Sequence, residues 1–138
     1  MFIEANKALV MQGWEGAGSG DLDRLGEMYA EDIAYHGAAG EEIRGREAVL
    51  EMIGGYLSAF PDMTITVEDI FGEGDRVFSR VRMEGTNTGE LMGMAATGKR
   101  IDVRWMMTAA RFEDGKVAEE WEIFDRMDMM TQLGHVTE

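Results

Sequence analysis

The spacing of apolar residues changes from helical to alternating near residue 63. Before that point apolar side chains recur every three to four residues, which places them on one face of an α-helix. This spacing predicts a first helix over residues 2–14. It also predicts a third helix, which Pro61 ends because proline cannot continue a helix. The apolar positions of the third helix are Val49, Met52, Ile53, Tyr56, Leu57 and Phe60.

A glycine-rich run at residues 16–20 separates the first helix from a short second helix. We expect the glycines to break the helical pattern, and Asp21 or Ser19 to cap the helix that follows. Residues 32–36 read as a short strand and residues 37–40 as a flexible loop. The apolar face of the second helix is predicted to contain Leu22, Leu25, Met28 and Tyr29.

Beyond residue 63 apolar and polar side chains alternate, as they do in a strand with one buried face. The dipeptide Asp114-Gly115 predicts a tight hairpin turn of type I′, because both residues tolerate positive φ. We expect a turn at residues 72–75, a methionine-rich loop at 89–98 and a last short helix from Asp125 to about residue 133. The predicted strands span residues 63–68, 76–86, 99–113 and 116–124.

Helices followed by an antiparallel meander predict an α+β fold. One curved sheet would cover the long third helix and leave a cavity at its open end, the usual place for a ligand. No linker, repeat or low-complexity tract divides the chain, so we expect a single domain over residues 1–138.

The composition of the chain limits which molecules the protein can bind and in which cellular compartment it is expected. The net charge of −14 disfavours a nucleic-acid phosphate backbone as a partner. No apolar stretch is long enough to span a membrane, and the N-terminus lacks the pattern of a signal peptide. The absence of cysteine excludes disulfides and thiolate metal sites, which fits a cytoplasmic protein. The 13 methionines suit an adaptable apolar pocket or ordinary core packing.

Asp125 follows the last predicted strand beside aromatic residues and is the first candidate for proton transfer. A two-residue turn at Asp114-Gly115 would place Arg104 on the same face and keep the Asp125 carboxylate ionised as a base. The alternative is structural, since an aspartate at this position could cap the last helix. The same register pairs Arg104 with Asp125, Met106 with Ile123 and Thr108 with Trp121.

Four further side chains have both a chemical and a structural interpretation. His36 could donate to a substrate carbonyl, or it could be a satisfied residue at a strand end. Asn87 could stabilise an enolate oxygen, although its Gly-Thr-Asn-Thr-Gly context is also ordinary turn chemistry. Tyr56 could turn its hydroxyl into the cavity, but its apolar spacing indicates packing first. Trp121 has a claim to the ligand site through the shared face, whereas core or dimer packing is its simpler role.

The sequence does not predict a metal site. His36 and His135 are the only histidines, and they do not form a cluster. Neither acidic segment has the spacing of a calcium loop. No glycine-rich phosphate motif follows a strand, so no nucleotide cofactor is expected.

The order and spacing of several motifs resemble the SnoaL-like polyketide cyclases of the NTF2-like superfamily over nearly the whole chain. The motifs lie at residues 35–36, 43–48, 60–62, 74–80, 85–90, 97–99, 111–116, 121–125 and 132–134. The resemblance implies a cone of curved sheet and helices, and a homodimer through the outer face of the sheet. It also implies aldol ring closure without metal or cofactor, with Asp125 as the acid/base.

Five residues at four sites depart from the pattern of the family. Many relatives have histidine at the positions of Asn87 and Glu120, an acid at that of Thr108 and a proline pair at that of Ala95-Ala96.

Two hypotheses about function follow from the residues and the resemblance together. The first is an enzyme acting on a small apolar carbonyl compound by ring closure, or alternatively by isomerisation or hydrolysis. The second is a dimeric scaffold that binds a small ligand without chemistry.

Overall fold

The computed structural model describes residues 2–136, which form four helices and a sheet of six strands. The helices are α1 (Ile3–Ser19), α2 (Leu22–Gly26), α3 (Arg46–Ala59) and α4 (Arg126–Leu133). The strands are β1 (Tyr29–His36), β2 (Glu42–Arg44), β3 (Thr64–Glu73), β4 (Arg76–Thr86), β5 (Arg100–Glu113) and β6 (Lys116–Ile123).

The strands lie in the order β2-β1-β6-β5-β4-β3. Strands β3 to β6 form the predicted antiparallel meander, and the turn between β5 and β6 has positive φ at both Asp114 (52°) and Gly115 (79°), as a type I′ turn requires. Strand β1 differs from the prediction because it pairs with β6 in parallel. These two strands are far apart in the chain, so no hairpin dictates their relative direction.

Helix α1 continues through most of the glycine-rich run that we expected to break it, and it ends only at Gly20, whose φ is 75°. Close packing explains the extension. A Cβ atom at Gly16 would lie 2.9 Å from the backbone nitrogen of Leu25 and 3.0 Å from the carbonyl oxygen of Asp21. Glycine in this helix therefore lets α2 approach the α1 backbone, which outweighs its low helix propensity.

Strand pairing also overrides two other expectations. Tyr29, predicted to be helical, begins β1, because the neighbouring carbonyl of Met28 accepts a hydrogen bond of 2.7 Å from the Val117 amide of β6. Strand β3 continues to Glu73 rather than ending at residue 68, since it pairs with β4 up to the turn. The short strand β2 was not predicted and pairs antiparallel with β1.

Bulges interrupt the sheet and add to its curvature. Two residues of β5, Arg104 and Trp105, lie opposite Arg82 of β4. In the β5–β6 pair, Phe112 lies opposite Val117 but Arg111 lies opposite Glu119, so Ala118 is the additional residue. Each bulge shifts the register of the strand pair by one residue.

The buried apolar residues form two clusters on the concave side of the sheet. One contains Val10, Tyr29 and Ile33 near α1, and the other contains Phe60 and Met129 near α4. Of the helices in residues 2–136, none has the length and hydropathy needed to cross a membrane.

Candidate active site

An inner cavity of about 80 Å³ lies between the two core clusters, bounded by all four helical segments and the concave face of the sheet. This volume is well below the roughly 300–1,000 Å³ of a pocket that encloses a drug-sized ligand. The lining is mostly apolar and includes the methionines Met28, Met52, Met63, Met83, Met106 and Met129. Methionine side chains are flexible and fill irregular spaces, which suits the wall of an adaptable apolar pocket.

An outer cleft of about 460 Å³ lies beside the inner cavity and is more open to solvent. The cleft is lined by parts of α3, by the loop that contains Met92 and by Arg126 at the start of α4. The inner cavity and the outer cleft share four lining side chains: Met52, Tyr56, Glu122 and Phe124. These four side chains form the boundary through which a ligand would pass between the two spaces.

Two carboxyl groups, those of Glu120 and Glu122, line the inner cavity. They are two residues apart on β6 and therefore point to the same face of the sheet. The Tyr29 hydroxyl donates a hydrogen bond of 2.9 Å to Glu120 Oε1, and the Tyr35 hydroxyl donates to Glu122 Oε2. Glu120 is only 5% exposed, whereas Glu122 is half-buried at the boundary with the outer cleft.

Burial raises the pKa of both carboxyl groups. The pKa of Glu120 rises to about 8, first because the site is desolvated and then because Glu122 is a nearby like charge. The pKa of Glu122 is also raised by burial, although its hydrogen bond from Tyr35 opposes the shift. Since the two groups interact, they titrate as a pair, and the pair retains a proton at neutral pH.

The bulge in β6 explains why the sequence-derived register was wrong. The predicted pairs were Arg104 with Asp125, Met106 with Ile123 and Thr108 with Trp121. In the structure Ile123 lies opposite Met107, Thr108 opposite Glu122 and Trp121 opposite Ala109. A shift of one residue moves side chains to the opposite face of a strand. Glu120 and Glu122 consequently face the cavity, and Trp121 does not.

Asp125 lies outside both spaces. Its side chain is exposed, and its Oδ1 accepts a hydrogen bond of 2.9 Å from the backbone amide of Asp128, which is the N-cap interaction of α4. The geometry thus gives the carboxylate the structural role that the sequence left open. A role for Asp125 in proton transfer stays a prediction.

His36 and Trp121 lie together on the outer face of the sheet. Their rings stack with centroids 5.5 Å apart, and His36 Nε2 is 2.8 Å from Glu119 Oε2. The guanidinium of Arg76 covers the Trp121 ring at 5.2 Å from its centroid. Neither side chain lines the inner cavity or the outer cleft, so these residues do not contribute to that site.

The remaining sequence candidates divide between structural positions and the cavity wall. Asn87 is fully buried, donates to the carbonyl of Gly89 at 2.8 Å and accepts from the Thr97 amide at 2.9 Å, which fixes the loop as its turn context indicated. Arg104 is exposed in its bulge, and Thr108 is buried opposite Glu122 without lining the cavity. Tyr56 and Met106 do line it.

Glu122 and Glu120 are not identified as site residues from the sequence, in which Glu120 stands out only as a position at which many relatives have histidine. One signal did point to its position: the family resemblance places a histidine there, so a titratable group recurs near the pocket. Within residues 2–136, no group of three His, Asp or Glu side chains is placed to hold a metal ion.

Comparisons with known proteins agree with this architecture. The sequence profile of the SnoaL-like polyketide cyclases matches residues 8–133. IdmH from Streptomyces antibioticus, named as a candidate polyketide cyclase, is 34% identical with a TM-score of 0.79, and the alignment covers 94% of this chain and 98% of that protein. No curated protein matches the sequence significantly.

Two further solved structures share the fold. AclR from Streptomyces galilaeus, named as a candidate hydroxylase, is 29% identical with a TM-score of 0.86, over 99% of this chain and 89% of that one. An epoxide hydrolase of the LEH-like type from M. tuberculosis is 15% identical with a TM-score of 0.75, over 96% of this chain and 92% of that one. The expected NTF2-like α+β fold is thereby confirmed, while the chemistry attached to it varies among these proteins.

Proposed function

Because the chain belongs to the SnoaL-like polyketide cyclase family, we propose that it transfers protons on a small, largely apolar carbonyl compound without a cofactor. Ring closure by intramolecular aldol condensation is the reaction that we favour. The observation that carries this proposal is the pair of buried carboxyl groups, Glu120 and Glu122, in an otherwise apolar cavity. Two acids whose environments differ can take the roles of base and acid in one reaction.

Glu122 is the better candidate for the base because it lies at the boundary with the outer cleft, where solvent lowers the cost of its charge. It removes a proton from a carbon next to the substrate carbonyl, and an enolate forms. The enolate carbon attacks a second carbonyl group of the same molecule, forming one carbon–carbon bond and an alkoxide. Glu120 is the more deeply buried acid, and it donates its proton to the alkoxide. The proton that Glu122 took from the substrate then passes to Glu120, which returns both groups to their starting states.

The tyrosines keep the two carboxyl groups in place for this chemistry. Burial raises the pKa of Tyr29 well above its usual value, so its hydroxyl remains a proton donor to Glu120 at physiological pH. The same holds for Tyr35 and Glu122. Fixed donors of this kind need no rearrangement when charge develops, which is the main source of electrostatic stabilisation in enzymes.

Hydrogen–deuterium exchange at the activated carbon of a probe ketone tests the proposal. We expect the protein to accelerate exchange at the carbon between the ring and the carbonyl of 2-tetralone in D₂O, as followed by proton NMR. Glu122→Gln should reduce that rate by about 10²–10⁴-fold, the usual contribution of a general base. Glu119→Gln is the matched control, because Glu119 is on the same strand but bonds to His36 and Arg111 on the outer face.

A binding protein without catalysis is the second candidate. The small volume of the inner cavity favours it, and so do the tyrosine hydrogen bonds, which already satisfy both carboxyl groups in the core. Saturable binding of 2-tetralone without any acceleration of exchange would support this alternative against the enzyme. An isomerase that uses the same two carboxyl groups would accelerate exchange or convert a ketone without closing a ring. A hydrolase that uses them would consume an epoxide without closing a ring.

We also propose that the protein forms a homodimer through the outer face of the sheet. Large apolar side chains are exposed there or at its bulge, with Phe71 58%, Trp105 64% and Ile123 63% accessible. Burial of such side chains against a second copy would be favourable. Sedimentation equilibrium of the protein and of its Ile123→Lys variant tests this, since a dimer that uses this face should dissociate in the variant, and a monomeric wild-type protein would contradict it.

A further inference from the structure

Arg126 has more hydrogen-bond donors than the protein uses. Its Nη2 donates to the Tyr56 hydroxyl at 3.3 Å and lies 3.8 Å from Met92 Sδ, and its Nη1 is 3.7 Å from Glu41 Oε2. Its Nε is buried and has no hydrogen-bond partner within the part of the chain that the structure describes. By contrast, Arg82 binds Asp102 through two bonds of 2.8 and 2.6 Å.

An arginine with long contacts and a free buried N–H is suited to binding an oxygen atom that carries negative charge. The guanidinium remains charged at any physiological pH and offers five donors in a rigid plane. Leaving a buried donor without a partner is unfavourable, and a ligand oxygen would remove that penalty. The weak contact with Glu41 joins two partly exposed side chains, so a ligand can displace it at little cost.

The position of Arg126 relates it to the proposed base. Both Arg126 and Glu122 line the outer cleft, and Glu122 and Tyr56 also line the inner cavity. A carbonyl compound with its apolar part in the inner cavity would therefore place its polar end between the carboxylate of Glu122 and the guanidinium of Arg126. The other charged residues that line the cleft, Glu41 and Glu51, are acids. Arg126 is therefore the cation of the cleft that can bind a negatively charged oxygen atom.

We propose that Arg126 is a catalytic residue that binds the enolate oxygen formed when Glu122 removes a proton from the substrate. This proposal rests on the proposed function and adds to it the group that stabilises the intermediate. The same site would take stable oxyanions attached to a flat apolar body, such as phenolates. The cleft is more open than the inner cavity, but the Nε atom of Arg126 is buried, and a cationic donor aimed at a developing oxyanion contributes most where water is excluded.

Binding of 4-nitrophenol tests the subsite independently of catalysis, because the absorbance of this probe reports its ionisation. We expect the protein to bind the phenolate in preference to the phenol, so that the pKa of the bound probe falls below that of the free probe. Arg126→Met should weaken binding of the phenolate by at least about tenfold, the loss expected for one charge-assisted hydrogen bond, and should change binding of the neutral phenol much less. Arg24→Met, which removes an arginine of α2 remote from the cleft, is the matched control.

A purely structural role for Arg126 makes a different prediction. The side chain connects α3, the Met92 loop and the Glu41 loop, so its loss could loosen the cleft. Loosening would affect phenol and phenolate alike, whereas loss of an oxyanion site affects only the phenolate. Arg126→Lys should recover part of the preference, because it restores the charge without the planar donors. Equal binding of the two forms by the wild-type protein would overturn the proposal.

The exchange reaction of 2-tetralone separates this proposal from the proposed function. Loss of an oxyanion donor should slow exchange by about 10²–10³-fold in Arg126→Met. If Glu122→Gln abolishes exchange and Arg126→Met does not alter it, the proposed function stands and the role of Arg126 is refuted. If the protein prefers phenolate through Arg126 but does not accelerate exchange, the oxyanion subsite stands and the proposed catalysis fails.

Discussion

Tyr29 and Glu120 are 91 residues apart in the sequence, and the Tyr29 hydroxyl donates a hydrogen bond of 2.9 Å to Glu120 Oε1 across the parallel pair of β1 and β6. This bond opposes the effect of burial, because it stabilises the carboxylate form and lowers the pKa that desolvation raises. The strand pairing that the sequence did not predict therefore controls the protonation of a buried acid.

Replacement of Tyr29 by phenylalanine should raise the pKa of Glu120 above its value of about 8. It should also reduce the free energy of unfolding by about 1–3 kcal/mol, because the buried carboxyl loses its donor. Carbon-13 NMR of labelled glutamate side chains measures the first effect and urea unfolding the second. An unchanged titration of Glu120 in Tyr29→Phe would show that this hydrogen bond does not influence the acid.

The raised pKa of Glu120 predicts the direction of the pH dependence of stability. Between its usual pKa of 4.5 and its folded value of about 8, the folded protein binds the proton more tightly than the unfolded chain does. The free energy of unfolding should therefore fall as the pH rises through this window, by up to about 1.4 kcal/mol per pH unit from this group. Glu122 contributes in the same direction, since its pKa is also raised.

Glu120→Gln should flatten this pH dependence, because glutamine keeps an acceptor for Tyr29 and has no proton to lose. Urea unfolding at several pH values between 5 and 8, on the wild-type protein and the variant, measures the difference between the two slopes. Parallel curves would mean that ionisation of Glu120 does not destabilise the folded protein, which would contradict its raised pKa.

Asp125 offers a test that separates its capping role from catalysis. Asp125→Ala should destabilise the protein by about 1 kcal/mol through loss of the N-cap of α4, whereas Asp125→Asn should have little effect because asparagine also caps helices. If the carboxylate acts only as a cap, Asp125→Asn also retains the exchange of 2-tetralone. Loss of exchange in a stably folded Asp125→Asn protein would instead establish the catalytic role that the sequence suggested.

Local rules were sufficient to predict much of the fold from the sequence. The Asp114-Gly115 turn, the meander from β3 to β6 and the capped helix α4 depend on residues close together in the chain. Such features follow from conformational preference and periodicity alone. The order of helices and strands, together with the family resemblance, then fixed the α+β architecture.

The candidate site could not be derived in the same way, because its geometry depends on a single additional residue. Nothing in the sequence of β6 indicates a bulge at Ala118. The bulge nevertheless decides whether Trp121 or its two acidic neighbours, Glu120 and Glu122, face the cavity. The predicted register, which contained no bulge, placed Trp121 opposite Thr108 and so gave Trp121 a claim to the ligand site. Tyrosine donors from β1 make the opposite arrangement stable, and the parallel pairing that supplies them lies beyond local sequence rules.

The glycines of α1 provide a matched pair of substitutions within one helix. Gly16→Ala should destabilise the protein by about 1–3 kcal/mol, because the new Cβ would lie 2.9 Å from a backbone nitrogen that cannot move easily. Gly18→Ala should stabilise it by up to about 1 kcal/mol, since the nearest atom is 3.8 Å away and alanine favours the helix. Thermal unfolding of both variants checks the contrast, and equal effects would exclude close packing as the reason for glycine at position 16.

Met52 lies at the boundary between the inner cavity and the outer cleft, so its removal should open a path between them. We expect Met52→Ala to increase the association rate of 4-nitrophenol in stopped-flow absorbance measurements. Met129→Ala is the control, because Met129 lines the inner cavity but not the cleft and is 1% exposed. That variant should lose about 2–5 kcal/mol of stability through the enlarged cavity while the association rate stays unchanged. Faster association in both variants would indicate general loosening of the core rather than a boundary formed by Met52.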